Sequence, residues 1–352
     1  MKILISPMSA IAETAGPFSR CKKMAEAFTN AGIEVATCIA KDVNYREIQG
    51  IPNYYLDIPM PFGMPKFIAS RTFPMAQKLG ITSRKTVNSF DQVFLFTGNL
   101  DYDYLKKSAN SIPRGLNRLL RELGLAPVES ALQLFDRADH CFCPSIKELE
   151  PIEKEGVTFC GTLNRISMEE TNVNPINHGR EDQENSPKKD KIIVYMGNGT
   201  ISASKMKKEI TKAFCESEYK VYIASHYLPE QTEHNIHIAK RWDFNKLLKE
   251  SVLYINHGGQ NSIMDGLLHG VPQLIVPGKV FERRYNAESL VKNQAGATIS
   301  HLDFKAATIY AKANYLIQSK EVHENVGKLC EKLCLQGGIE NIIHYINLNT
   351  TN

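Results

Sequence analysis

The sequence has no C-x-x-C pair among its eight cysteines, so the usual spacing of a structural zinc site is missing. Most of the cysteines lie in apolar segments such as Cys38-Ile39-Ala40, which is typical of buried reduced thiols. No stretch approaches roughly 18 uninterrupted apolar residues, so no membrane-spanning helix is predicted. The segment from Met1 to Ser6 lacks the apolar run and cleavage site of a secretion signal, and we expect a cytoplasmic location.

The excess of one sign of charge over the other is also small. Lys and Arg number 42 against 38 Asp and Glu, a formal net charge of +4, and no basic cluster repeats along one face. A nucleic-acid partner is therefore not expected.

The chain has 352 residues, of which 43% are apolar. This length is long for one hydrophobic core and suits two domains.

The order of apolar segments predicts two α/β domains. An apolar run over 2–6, a polar loop over 9–19, a helix ending near Gly32 and a strand over 33–38 form a strand-helix-strand unit, which implies a parallel sheet. Further strands are predicted at 92–96, 140–143, 157–161, 192–196, 220–224, 252–255 and 274–277, and further helices at 103–108, 114–123, 128–137, 204–214 and within 306–346.

A change of composition sets the predicted domain limits. The stretch from Asn164 to Asp190 contains few residues that could build a core, which is typical of a linker. We therefore predict an N-terminal domain over 1–165, a polar linker over 166–190, a C-terminal domain over 191–335, and a C-terminal helix or tail over 336–352.

The most informative segment runs from Asn256 to Asp265, where an apolar strand ends in His-Gly-Gly and a helix begins. Two glycines let the backbone approach a ligand closely, and a helix N-terminus directs free N–H groups and positive partial charge at an anion such as phosphate. His257 can donate to a diphosphate oxygen, and Asp265 can accept from ribose hydroxyls. The alternative interpretation is a tight strand-to-helix turn with Asn261 or Ser262 as the N-cap.

The segment from His257 to Ala287 resembles the donor signature of GT-B glycosyltransferases, notably the UDP-glycosyltransferase superfamily of bacterial type. It resembles the lipid-II-forming N-acetylglucosaminyltransferases more distantly. The signature reads H-G-G-x-x-S/T-x-x-E, then G-V-P, a proline, and D-Q-x-x-N-A. The residues that match it are His257-Gly258-Gly259, Asn261-Ser262, Asp265, Gly270-Val271-Pro272, Pro277 and Asn286-Ala287. The resemblance implies an α/β GT-B fold, with two Rossmann-like parallel-sheet domains facing each other across a cleft. By the same resemblance, the N-terminal domain over 1–165 would bind the acceptor and the C-terminal domain over 191–335 would bind the nucleotide sugar.

The resemblance also implies the roles of individual residues. His257, Asn261 and Ser262 would hold the diphosphate, and Asp265 would hold the ribose. The Asp-Gln pair that contacts the transferred sugar falls on Glu282-Arg283. The whole implied donor site comprises Gly199, Thr200, Trp242, Phe244, His257, Gly258, Gly259, Asn261, Ser262, Asp265, Glu282, Arg283 and Asn286.

The sequence departs from the signature at the sugar and at the general base. Asp265 is one methylene shorter than the usual Glu, and Arg283 introduces a cation, so the sugar is left open. The family's first loop usually carries G-H-x-x-P, in which the histidine acts as the general base. In this sequence Pro17 occupies the position of that histidine. Glu13 replaces it as our candidate base, followed by Asp101. A solvated loop carboxylate is the alternative for Glu13.

The predicted function is transfer of a sugar from a nucleoside diphosphate sugar, with UDP favoured by the resemblance, to an unidentified small-molecule or lipid-like acceptor. No D-x-D triplet or metal cluster occurs in the donor region, and by resemblance the transfer would be inverting and metal-independent, with no cofactor besides the donor. The apolar, Pro-rich segment 58–68 either packs on its own core or, if exposed, lines an acceptor pocket or touches a membrane surface.

Two alternative functions stay open. Nucleotide-sugar hydrolases of the pseudaminic-acid pathway share the fold and a G-x-x-x-R loop that Gly16 to Arg20 partly matches. A non-catalytic partner subunit with the same fold is favoured by Pro17 and opposed by the phosphate-binding residues, which a scaffold does not need. The oligomeric state is not indicated by the sequence.

Overall fold

The structure is a computed structural model of the chain. It describes residues 2–5, 15–40, 47–56, 116–122, 124–129, 140–150, 155–163, 189–197, 201–279 and 281–349. Within these ranges, no helix combines the length and the apolar character needed to cross a membrane.

The chain divides into two compact units. The first comprises Met1–Phe142, Glu155–Thr158 and Ile342–Asn352, and the second comprises Cys143–Lys154 and Phe159–Asn341. The predicted limit between the first domain and the linker, at residues 165 and 166, falls outside the described residues. The predicted domain limits therefore stay a prediction.

The elements described up to residue 163 include a small parallel sheet. They are β1 (Lys2–Ile5), α1 (Ala15–Asn30), β2 (Glu34–Ala40), β3 (Asn53–Leu56), α2 (Leu116–Glu122), β4 (Cys141–Cys143) and β5 (Val157–Phe159). Strands β1, β2 and β3 lie side by side in that order and are parallel, as the strand-helix-strand pattern predicts. Strands β4 and β5 form a separate two-stranded sheet.

Helix α1 begins earlier than the sequence predicts. The polar stretch expected to be a loop as far as Ser19 is helical from Ala15. Pro17 lies in the first turn, where backbone N–H groups have no acceptor within the helix, so the missing N–H of proline removes no hydrogen bond. The predicted end is confirmed, because Gly32 has φ of +76° and the N–H of Ile33 turns back to the carbonyl of Phe28 at 3.0 Å.

The second unit is built on a seven-stranded sheet with the order β12-β11-β10-β6-β7-β9-β8. Its pairs are parallel except for β8 with β9. The elements are β6 (Lys191–Tyr195), α3 (Ala203–Phe214), β7 (Lys220–Ala224), β8 (Gln231–Glu233), β9 (Ile236–Ala239), α4 (Phe244–Lys249), β10 (Ser251–Asn256), α5 (Gln260–Leu268), β11 (Gln273–Ile275), α6 (Phe281–Lys292), β12 (Gly296–Thr298), α7 (Ala306–Gln318), α8 (Lys320–Leu335) and α9 (Ile339–Asn349).

Both faces of this sheet are covered. Ile192 and Val194 of β6 belong to the large core that also contains residues of α3, α5, α7 and α8. Ile193 points to the other face and packs in a smaller cluster with Leu248 of α4 and Tyr254. Burial on both faces explains why the central strands read as continuous apolar runs instead of alternating patterns.

The segment at 143–150 packs against helices α5 and α6 of the same unit. The amide of Gln260 donates to the carbonyl of Pro144 at 3.2 Å. The hydroxyl of Ser289 donates to the carbonyl of Leu149 at 2.6 Å. These hydrogen bonds tie a chain segment that precedes the predicted linker to the two helices that flank the His-Gly-Gly turn.

The order of strands places a topological switch point between β6 and β10. From β6 the chain proceeds to β7 and β9 on one side, then returns to β10 and β11 on the other. Tyr195 and Asn256 are paired at the carboxyl ends of these two strands. In open parallel sheets, ligands bind outside the carboxyl ends of the strands at such a point, and the His-Gly-Gly turn follows Asn256 directly.

Candidate functional site

The turn between β10 and α5 has a backbone that depends on glycine. Gly258 has φ of +82°, in the left-handed region that side chains disfavour. A Cβ atom at Gly258 would lie 2.8 Å from the carbonyl oxygen of Arg283 and 2.9 Å from the side chain of Ile275. The turn therefore packs directly against the start of α6 and the end of β11.

Helix α5 is capped by glycine. Gly259 is the N-cap and makes no side-chain capping hydrogen bond, so the alternative expectation that Asn261 or Ser262 is the N-cap is wrong. Both residues instead lie in the first helical turn, where backbone N–H groups lack an acceptor within the helix. Asn261 and Asp265 are half-buried and one turn apart, so they share one face of α5.

The ring of His257 is enclosed by glycine backbone and one aromatic ring. Cβ atoms built at Gly259 and Gly197 would lie 2.6 Å and 3.1 Å from its Nε2 atom. The ring of Tyr195 meets it edge-on, with centroids 5.3 Å apart. Gly197 follows β6, so the imidazole lies across the switch point between the two central strands. The donor site implied by the resemblance does not include Tyr195.

Burial keeps the imidazole neutral. His257 is 9% exposed, and this burial, followed by the nearby charge of Arg283, lowers the pKa of His257 to about 3. Its Nδ1 atom is buried without a well-formed hydrogen bond. A weak contact with the backbone of Tyr195 acts in the opposite direction and favours a higher pKa. At neutral pH the ring therefore offers a single N–H donor and no charge.

An acidic side chain lies at the N-terminus of α5. The backbone N–H of Gln260, the first helical residue, donates to Oε1 of Glu282 over 3.4 Å. Glu282 belongs to the first turn of α6. The carboxylate thus occupies the positive end of α5, the position that also favours a phosphate.

The next residues of α6 approach the turn from its other side. Arg283 is 7% exposed, and its charge is close enough to lower the pKa of His257. The amide of Asn286 donates to the carbonyl of Gly258 at 2.9 Å. The structure therefore brings Glu282, Arg283 and Asn286 together with the His-Gly-Gly turn, although they are more than 20 residues away in sequence.

Two buried amides at this turn were not anticipated from the sequence. Asn256 and Gln273 are fully buried, and the Asn256 amide donates to the Gln273 side-chain carbonyl at 2.8 Å. Asn256 also accepts from the N–H of Gly258 at 2.8 Å. The only available signal was a polar residue at the end of each of two buried strands.

Trp242 and Phe244 flank a turn that leads into α4. The indole N–H of Trp242 donates to the carbonyl of Ile223 at 3.1 Å, which ties the ring to the end of β7. Phe244 lies 5.6 Å from Tyr195 between ring centroids, and Tyr195 in turn meets His257. Asp243 between them is the N-cap of α4. Aromatic contacts through Tyr195 thus connect Phe244, a residue of the implied donor site, to His257.

The remaining predicted site residues lie outside the described residues. They are Glu13, Asp101, Gly199 and Thr200, together with the segment 58–68. The roles predicted for them stay predictions.

Part of the chain is similar in sequence to known proteins. The family model "Erythromycin biosynthesis protein CIII-like, C-terminal domain" matches residues 215–343, which include the turn, α5 and α6. The "Aclacinomycin-T 2-deoxy-L-fucose transferase" of Streptomyces galilaeus is 31% identical over 86 residues, which are 24% of this chain. The matched segment spans only 20% of that protein's own length.

Solved structures resemble the whole chain. The calicheamicin glycosyltransferase CalG4 has a TM-score of 0.67 at 13% identity, covering 99% of this chain and 97% of its own. The spinosyn forosaminyltransferase SpnP has a TM-score of 0.63 at 14% identity, covering 99% of each chain. The chain has the GT-B fold.

The GT-B fold was expected from the resemblance of the His257 segment, and that expectation is confirmed. The relative and the structural neighbours are glycosyltransferases by name. The sugar, the donor nucleotide and the acceptor belong to the proposal that follows.

Proposed function

We propose that this protein is a glycosyltransferase that moves a sugar from a nucleoside diphosphate sugar to an unidentified small-molecule or lipid-like acceptor. The observation that carries the proposal is the position of the His-Gly-Gly turn. It lies at the switch point between β6 and β10, opens the N-terminus of α5, and has Arg283 close to His257. These features together suit a diphosphate.

Leaving-group stabilisation follows from these groups. As the bond from the anomeric carbon to the diphosphate breaks, negative charge develops on the departing oxygen. The neutral imidazole of His257 can donate its N–H to a phosphate oxygen, and the first-turn N–H groups of Asn261 and Ser262 add two more donors. Arg283 supplies a full positive charge close to this turn. Asp265, on the same face of α5 as Asn261, is suited to accept from the ribose hydroxyls.

The attack itself requires an oriented acceptor and a base. We propose single displacement with inversion, without a metal ion, as the resemblance implies. Glu13 is our proposed base and Asp101 the second candidate. UDP is the proposed nucleotide, and a cytoplasmic location is part of the same proposal.

The first test is calorimetric titration of the protein with UDP, dTDP and GDP in the presence of EDTA. We expect micromolar binding of one nucleotide and at least a tenfold loss in His257→Ala, which corresponds to about 1.4 kcal/mol or more. Asp265→Asn should weaken the same nucleotide, whereas Asp303→Asn, at an exposed position, should not. Thermal unfolding of each variant establishes that it is folded. Absence of binding by all three nucleotides would refute the donor site.

The alternative functions are separated by the products. With the matching nucleotide sugar and no acceptor, a hydrolase releases nucleoside diphosphate and free sugar at a sustained rate. A transferase requires an acceptor for sustained turnover. A non-catalytic partner binds the nucleotide sugar and leaves it intact in both cases.

A further inference from the structure

Three consecutive hydrogen bonds pass through the side chains of Asn256 and Gln273. The N–H of Gly258 donates to Oδ1 of Asn256 at 2.8 Å. Nδ2 of Asn256 donates to Oε1 of Gln273 at 2.8 Å. Nε2 of Gln273 donates to the carbonyl oxygen of Ile263 at 2.9 Å. We call these three hydrogen bonds the relay. It begins at Gly258 in the His-Gly-Gly turn and ends at Ile263 in the second turn of α5.

The direction of this relay is fixed by its two ends. The backbone N–H of Gly258 can only donate, and the carbonyl of Ile263 can only accept. Only one orientation of the two amides, the one in the structure, satisfies all three bonds. Because both side chains are fully buried, a reversed amide would leave polar atoms without partners and without water.

The relay also lies against the backbone of α5. A Cβ atom at Gly266 would be 2.4 Å from Nε2 of Gln273, so Gln273 contacts the helix at two successive turns. On the other side, the carbonyl of Gly258 is held by Asn286 at 2.9 Å. The two peptide groups of Gly258 are therefore fixed by two side chains from β10 and α6, and Gln273 fixes the helix that follows.

We propose that Asn256 and Gln273 are positioning residues for the donor diphosphate. Neither belongs to the signature that identified the site. The His-Gly-Gly turn carries His257, and the N-terminus of α5 provides the free N–H groups. The His-Gly-Gly turn and the helix must therefore keep a constant relative position to bind one diphosphate. The relay sets that position because it joins the turn to the helix through side chains that cannot reorient. This inference rests on the proposed function.

The test compares four variants. Asn256→Leu removes the first and second bonds of the relay, and Gln273→Leu removes the second and third. Asn256→Ser keeps an oxygen that can accept from the N–H two residues later, and serves as the partial rescue. Ser251→Ala is the matched control, because Ser251 is a buried polar residue at the other end of β10 whose hydroxyl donates to Leu247 at 2.7 Å.

Two measurements are made on each variant, both on the full chain after thermal unfolding has confirmed a folded state. The first is the Kd for UDP by calorimetry. The second is the amide hydrogen exchange of residues 258–263 without nucleotide. We expect the Kd to rise at least tenfold in Asn256→Leu and Gln273→Leu, less in Asn256→Ser, and not in Ser251→Ala. Amide exchange at 258–263 should be fastest in Asn256→Leu and Gln273→Leu, intermediate in Asn256→Ser, and unchanged in Ser251→Ala.

The two measurements separate this inference from the proposed function. If the wild type binds UDP and both leucine variants bind it equally well, the positioning role is wrong. An equal loss of affinity in Ser251→Ala would also overturn it, since the effect would then be general destabilisation. If the wild type binds none of UDP, dTDP and GDP, the donor site is wrong, and unchanged exchange at 258–263 in the leucine variants would independently refute the relay.

Discussion

The carboxylate of Glu282 lies at the N-terminus of α5, where it accepts from the backbone N–H of Gln260 over 3.4 Å. A diphosphate at this helix end would meet a negative charge that is already present. In the protein without nucleotide, the Glu282 carboxylate therefore stabilises α5. A ligand anion must displace this carboxylate or bind beside it. The balance between these two effects can be measured.

We predict that Glu282→Gln binds free UDP more tightly than the wild type, because one negative charge leaves the phosphate region. The same variant should unfold slightly more easily, by about 0.3 to 1 kcal/mol, because α5 loses a favourable anion at its N-terminus. Calorimetry and thermal unfolding check both effects. Glu288→Gln on the same helix, where Glu288 lies 3.8 Å from Arg284, is the control. Weaker UDP binding in Glu282→Gln would contradict the prediction.

His257 should make the protein less stable in mild acid. Its pKa is about 3 in the folded state against an ordinary value of 6.5, so the unfolded chain binds more protons between these values. The free energy of unfolding therefore falls as pH drops below 6.5, by roughly 2 kcal/mol at pH 5 from this residue. Urea unfolding from pH 8 to pH 5 should show a shallower decline in His257→Asn than in the wild type.

A non-titrating control distinguishes this effect from simple loss of packing. Ser251→Ala removes a buried hydroxyl and should lower the free energy of unfolding by the same amount at every pH. If His257→Asn and the wild type decline in parallel, the imidazole is not the group that takes up the proton.

Gly258 should tolerate alanine much less well than Gly32. Both have positive φ, +82° and +76°, so both variants carry the left-handed penalty of about 1 to 2 kcal/mol. Only at Gly258 would the new Cβ meet backbone, at 2.8 Å from the carbonyl of Arg283, whereas nothing lies within 4 Å at Gly32. We expect Gly258→Ala to unfold more easily and to lose UDP binding, and Gly32→Ala to retain it. Equal melting temperatures would show that the turn adapts.

Cys143 and Cys160 should resist alkylation in the folded protein. Burial raises the pKa of Cys143 to about 12 and that of Cys160 to about 11, so their thiolates are rare at pH 8. Cys215 is exposed and should react. Mass mapping after iodoacetamide treatment checks this, and the same treatment in urea should label all three. Rapid native labelling of Cys160, which is fully buried, would contradict the prediction.

Much of the second unit could be predicted from the sequence. Strands β6, β7 and β10 and helix α3 were placed within one residue at either end, because buried parallel strands give continuous apolar runs and α3 has a clear helical repeat. The hairpin β8–β9 was missed because Gln231–Glu233 is polar and pairs only at the edge of the sheet. Helix α1 was shortened at its start because Pro17 was interpreted as a loop residue.

The candidate site was predicted as a segment but not as an arrangement. The glycines and the helix after β10 follow from local sequence. The N-cap was wrongly assigned, because Asn261 and Ser262 are common capping residues and Gly259 caps without a side chain. The pairing of Asn256 with Gln273 and the burial of His257 depend on the neighbouring strands β6 and β11, and no local pattern in a single sequence reports them.

The hydrogen bonds from Gln260 to Pro144 and from Ser289 to Leu149 determine where this chain can be cut or recombined. A fragment that begins after the polar stretch would leave α5 and α6 without the segment that supports them, and its exposed apolar surface would favour aggregation. A chimaera with another protein of this fold should accordingly take its junction before Cys141, so that β4 stays whole and the supporting segment travels with the helices it holds.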